Sequence, residues 1–188
     1  MKRVLVTGAS GMLGTELCLA APAGTVVVGT DLRANSPVDV PGLDLADGAL
    51  VERLFSDHGP FDGVIHAAAF TAVDLAEERE GDARRSNEEA SRVLATQCAK
   101  HSIPLVLVST DFVFDGNATR PYREEDPPRP LSAKTRLRAK AGEEASPGAA
   151  HHQIISPLSG FRLSMALFAL TSIWALPFTY TMTGVLCA

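Results

Sequence analysis

Four short apolar runs mark the first two thirds of the chain: RVLVT (3–7), TVVVGT (25–30), GVIHAA (63–68) and PLVLVST (104–110). They are rich in β-branched residues and nearly unbroken by polar ones, the pattern of strands buried on both faces. Between them, GMLGTELCLAA (11–21), GALVERLFSDH (48–58) and RSNEEASRVLATQCAKHS (85–102) carry apolar residues at helical spacing. In the last, Ala90, Val93, Leu94 and Cys98 share one face, while Glu88, Glu89, Arg92 and Lys100 point away. Strand–helix–strand alternation of this kind predicts an α/β protein whose parallel sheet is doubly wound, with helices on both sides.

The pattern changes after Glu144. From there on, Arg162 is the only Asp, Glu, Lys or Arg, and LSMALFALTSIWALPFTYTMTGVLCA (163–188) carries no formal charge. The reading is one domain over residues 1–160, followed by an uncharged apolar tail, 161–188, that is truncated or atypical and no separate domain. Such a tail has the length of a membrane span, about 20 apolar residues, but Ser and Thr dilute it and Pro177 interrupts it. A buried or poorly ordered tail, or one that does not continue the domain's pattern, is favoured over a membrane contact.

Composition narrows the classes further. Hydrophobic content of 46% with 21% charged residues is that of a globular protein. The net charge of -5 gives no field that attracts nucleic acid. Three scattered cysteines, Cys18, Cys98 and Cys187, match no C-x-x-C spacing and suit a reducing compartment. The first strand begins at once, without a signal-peptide pattern, so the expected location is cytoplasmic.

Candidate chemistry starts with TGASGMLG (7–14), between the first strand and the first helix. A pyrophosphate there needs a tight turn, close backbone approach and a helix N-terminus, which Gly8, Gly11 and Gly14 can supply. At the end of the second strand, Asp31 can accept hydrogen bonds from an adenosine ribose, while Arg33 can hold a 2′-phosphate. NAD and NADP are both open. The pair His151–His152 has no partners at metal spacing, so no metal site is expected.

The glycine spacing G-x-x-G-x-x-G, together with HAAAFTAVDLAEE (66–78), Asn87, STDFVFDG (109–116) and PYREEDPPRPLS (121–132), resembles the dTDP-4-dehydrorhamnose reductase (RmlD-like) family of the extended short-chain dehydrogenase/reductase superfamily. The likeness covers residues 1 to about 133. It implies a Rossmann-like fold and an NAD(P)-dependent oxidoreductase of dTDP-rhamnose biosynthesis. Such an enzyme reduces a 4-keto-6-deoxy sugar nucleotide, here dTDP-4-dehydro-6-deoxy-L-mannose. By that resemblance Gly11, Met12 and Leu13 carry the pyrophosphate and Asp31 the ribose. Asp44 and Leu45 lie at the adenine; Ala69, Phe70 and Thr71 line the nicotinamide side. Thr110 and Asp111 face the substrate, and the Thr110 hydroxyl can bond the ketone oxygen as it gains charge. His66 stands where the family pattern has asparagine.

The resemblance breaks in LSAKTRLRAKAGEE (131–144). The family segment L-x-x-Y-G-x-[ST]-K-x-x-G-E carries the tyrosine that protonates the new alkoxide and the lysine that supports it. Counting from either side places Lys134 or Thr135 where that tyrosine belongs, and Lys140 is nearest the lysine. A damaged catalytic site is therefore expected, with turnover impaired. The alternative is a non-catalytic dinucleotide-binding regulatory subunit, like the methionine adenosyltransferase β subunit. Expected partners are a nucleotide-sugar substrate and either a homodimer mate or a partner enzyme.

Overall fold

The computed structural model describes residues 1–109, 114–120, 122, 126, 127 and 129, and the strands Gln153–Ile155 and Gly184–Cys187. Its frame is an all-parallel sheet. Strand β1 (Lys2–Thr7) lies between β2 (Thr25–Asp31) and β4 (Gly63–His66), with β3 (Val40–Pro41) beyond β2 and β5 (Leu105–Ser109) beyond β4. Two further strands, β6 (Gln153–Ile155) and β7 (Gly184–Cys187), complete the order β3-β2-β1-β4-β5-β7-β6. The second of these falls in the stretch that the charge pattern sets apart as a tail.

Both faces of the sheet are covered, as the unbroken apolar runs require. Val4, Leu5 and Val6 are all fully buried although consecutive strand residues point to opposite faces. Leu5, Val28 and Val64 pack under helices α2 (Gly48–His58) and α5 (Ala90–Lys100), through Val51, Leu54, Phe55, Val93, Leu94 and Cys98. Val4, Val6, Ile65 and Val108 pack on the other face with Leu17 of α1 (Met12–Leu19). Phe55 meets Phe61 edge-on, ring centroids 5.3 Å apart. Asp47 caps α2, its carboxylate accepting the N–H groups of Ala49 at 2.9 Å and Leu50 at 3.2 Å.

The chain leaves β1 toward β2 on one side and later returns to β4 on the other. The order of strand addition therefore reverses at β1, and in open α/β sheets ligands bind beyond the carboxyl ends of the strands at such a point, here β1 and β4. Thr7 is in register with both Thr30 and His66. The loops that follow these three residues stand at the strand tips.

The structure departs from the expected helix over 85–102. Two short helices, α3 (Val73–Glu78) and α4 (Glu80–Arg84), lead into a π-helical turn over Arg85–Glu89 before α5 begins. The wider i→i+5 turn shifts the helix phase. As a result Glu88, which simple periodicity puts outside, is buried beside Asn87, its carboxylate 3.6 Å from Arg84. The expected apolar face of α5 is as the sequence reads it. Among the described residues no helix is long and apolar enough to cross a membrane.

Cys98 sits in the larger core, and burial pushes its thiol up to about 12 from 9.0. Burial, reinforced by the charge of Asp39, pushes Cys18 up to about 11. A folded-state pKa raised above the unfolded value contributes stability that is complete below pH ~9 and lost as pH rises toward ~12. Urea midpoints measured across that window should fall for the wild type and fall less for Cys98→Ala. Removing the fully buried Leu94 side chain in Leu94→Ala should cost about 2–5 kcal/mol in the same assay at neutral pH.

Candidate dinucleotide site

The loop after β1 is built by backbone packing against backbone. Gly8 has φ +69°, a left-handed conformation, and a Cβ on it would lie 2.7 Å from both Cα and N of Ala68. The N–H of Gly11 donates to the Gly8 carbonyl at 3.0 Å and closes the turn. A Cβ on Gly14 would run into that same Gly8 carbonyl oxygen. The first turn of α1 therefore lies directly on the loop, which no other residue type at 14 permits. Gly11 is the N-cap of α1 and offers no side-chain acceptor to the helix amides, and the first turn holds no acidic residue. An anion is the natural partner for such a helix start.

Around this turn the predicted residues take distinct roles. Met12 is 89% exposed, whereas Leu13 packs against the smaller core. Asp31, at the end of β2, binds the loop itself: one carboxylate oxygen accepts the Ser10 N–H at 3.1 Å, the other the Arg33 N–H at 3.1 Å. A carboxylate has about four acceptor directions, so a ribose hydroxyl can be added to these two bonds.

At the far side of β2, Asp44 accepts the Ala46 N–H at 3.0 Å and receives the Arg85 guanidinium at 2.7 Å and 2.8 Å. That bond and the carboxylate's charge hold the Arg85 pKa above its ordinary value. Leu45 turns its side chain into the larger core. The structure thus brings Asp44 and the π-helical turn together. No sequence signal marks Arg85, because the link spans loops far apart in the chain.

Beyond β4, Ala69 and Thr71 are exposed and Phe70 is half-buried. The amide of Asn87 clasps the backbone of Phe70: its Oδ1 accepts the Phe70 N–H at 2.8 Å, and its Nδ2 donates to the Phe70 carbonyl at 3.2 Å. The Ala68 N–H donates to Thr7 Oγ1 at 3.3 Å, and Thr7 Oγ1 lies 2.6 Å from His66 Nδ1. Of the sequence-predicted site, the loop residues 8–14, Asp31 and residues 69–71 therefore gather at the tips of β1, β2 and β4, the last group resting on Asn87. Asp44 and Leu45 stand apart, beyond β3.

Thr110, Asp111 and Lys140 lie outside the described residues, as do Lys134 and Thr135; β5 ends at Ser109, one residue before Thr110. Tyr122 is described. Its ring stacks on Phe114 at 4.1 Å and its hydroxyl donates to Asp115 at 3.0 Å. The Asn117 backbone N–H, and then that hydroxyl, hold the Asp115 carboxyl below its ordinary range. The phenol proton of Tyr122 is thus engaged within its own turn.

Comparison with known proteins shows the family. Residues 1–156 match the family model described as RmlD substrate binding domain. A dTDP-4-dehydrorhamnose reductase of Streptomyces griseus is 41% identical over 145 residues, covering 76% of this chain and 44% of that protein. Methionine adenosyltransferase 2 subunit beta of Bos taurus is 36% identical over 153 residues, covering 79% of this chain and 45% of its own length. The crystal structure of dTDP-4-dehydrorhamnose reductase from Bacillus anthracis in complex with NADP superposes with a TM-score of 0.68 at 28% identity, covering 77% of this chain and 49% of that one. The chain spans about half the length of the curated relatives it matches, and its doubly wound parallel sheet is Rossmann-like.

The two crowded glycines give a graded test. Gly24 also has positive φ, +86°, but a Cβ there meets nothing within 4 Å. Gly24→Ala should cost only the backbone strain, about 1–2 kcal/mol. Gly8→Ala and Gly14→Ala should each cost more, read as lower urea midpoints, because backbone must move to admit the methyl group.

Proposed function

Because the chain belongs to the RmlD substrate binding domain family, we propose that it binds NAD or NADP and acts as a sugar-nucleotide reductase of the dTDP-4-dehydrorhamnose reductase type, its turnover impaired by the missing tyrosine. The observation that carries this reading is the glycine turn, in which the Cβ space of Gly8 and Gly14 is taken by backbone. A cofactor pyrophosphate fits there, against Gly11, Met12 and Leu13 and the open start of α1. Asp31 takes the ribose hydroxyls. Asp44 and the backbone of Leu45 border the adenine, and Ala69, Phe70 and Thr71 the nicotinamide. The chemistry that a reduced nicotinamide supplies is hydride delivery to a ketone.

The protein's own part in the reaction is positioning and stabilisation of the growing charge. Thr110 and Asp111 face the substrate, and the Thr110 hydroxyl bonds the ketone oxygen as negative charge grows on it. Lys140 is assigned the place of the supporting lysine. With Lys134 or Thr135 in place of the tyrosine, the alkoxide takes its proton from water, at a cost of about 10²–10⁴ in rate. We assign the cofactor domain to residues 1–160 and treat 161–188 as a tail without a domain of its own. The free thiols of Cys18 and Cys98 suit a cytoplasmic location.

A second reading is a regulatory subunit that binds the dinucleotide without turnover and acts on a partner enzyme. The identity to the methionine adenosyltransferase β subunit across 79% of the chain favours it. Calorimetric titration with NADH and NADPH should show saturable binding; heat indistinguishable from dilution for both would remove both readings. Oxidation of NADPH followed with dTDP-4-dehydro-6-deoxy-L-mannose should be slow, and faster in Lys134→Tyr or Thr135→Tyr. Binding with no oxidation in any of the three proteins leaves the regulatory reading.

A further inference from the structure

We propose that His66, through its two ring nitrogens, is the positioning residue that sets both walls of the dinucleotide cleft, an inference that rests on the reading of the cleft given above. The ring is fully buried at the tip of β4 and in register with Thr7, the last residue before Gly8. Its Nδ1 is 2.6 Å from Thr7 Oγ1, and its Nε2 is 3.1 Å from Ser91 Oγ on α5. The direction of the Ser91 bond follows from its hydroxyl. Ser91 donates its one proton to the Asn87 carbonyl at 2.9 Å, so it accepts from Nε2–H. Thr7 Oγ1 accepts the Ala68 N–H and, with a second lone pair and its own proton still available, bonds Nδ1 as well.

This chain of bonds ends on the cleft at two points. Through Thr7 it holds the amide of Ala68, whose backbone fills the space beside Gly8. Through Ser91 it holds the carbonyl of Asn87, the residue whose amide clasps Phe70. Thr7, His66, Asn87 and Ser91 are each at most 1% exposed, so no solvent replaces a lost bond. One imidazole thus fixes the glycine turn relative to residues 68–70, where the pyrophosphate and nicotinamide half would sit. Asp31 and Asp44, assigned to the adenosine half, receive none of these bonds.

The test compares NADH with adenosine, which lacks that half, by calorimetry on the wild type, His66→Phe and His66→Asn. His66→Phe fills the space without bonding either hydroxyl; His66→Asn restores an acceptor for Thr7. The expected result is NADH binding weakened about tenfold or more in His66→Phe, adenosine binding within about twofold of wild type, and most of the NADH loss recovered in His66→Asn. Equal weakening for both ligands, no weakening, or no recovery in His66→Asn overturns the proposal. If His66→Phe does not fold by circular dichroism, Thr7→Val is read in the same way, since it cuts the bond to the ring and the acceptor for Ala68 together. Wild-type protein that binds neither ligand sinks the proposed function itself; wild-type binding with an unaltered ligand ratio in the variants sinks only the role of His66.

Discussion

The contact between the first turn of α1 and the carbonyl of Gly8 is the constraint from which the rest of the cleft follows. It forces the helix to start directly above the end of β1, with its amides directed at the strand tips. The alternative, a side chain at 14, would lift the helix and open a gap over Val4, Val6 and Ile65, which rely on Leu17 for cover. Packing of the smaller core and geometry of the loop are therefore one problem with one solution. A loop solved this way has little freedom left, which suits a rigid, multiply charged ligand.

A second layer of organisation lies beneath the loop. The polar side chains at the strand tips bond sideways to one another and to α5, so that the end of β1, the end of β4 and the first turn of α5, successive steps of 59 and 25 residues along the chain, share one buried network. The π-helical turn belongs to this layer. By rotating Asn87 inward it supplies the amide that holds Phe70, and it carries Arg85 to Asp44 at the other end of the cleft.

The strands, the inward face of α5 and the glycine turn were legible in the sequence because each leaves a short-range signature: apolar runs, helical spacing, glycine between strand and helix. The inward turn of Glu88 was not, since a single extra residue in one helical turn shifts the phase without changing composition. Nor was the Arg85–Asp44 bond, a meeting of residues |i−j| = 41 apart. His66 shows the middle case. Its place at a strand end could be read, but its two partners come from β1 and α5, and only the assembled sheet brings them within reach. The roles proposed for Thr110 and Asp111, which lie outside the described residues, come from the resemblance to the family.

Asp31 has a dual allegiance with a practical corollary. Its carboxylate accepts the Ser10 amide, so the group that would choose between cofactors also fastens the phosphate loop to β2. Anyone redesigning the protein to prefer a phosphorylated ribose by deleting this charge would also unfasten the loop. A replacement that keeps an oxygen within reach of Ser10, such as serine or asparagine, is the substitution that separates selectivity from scaffolding.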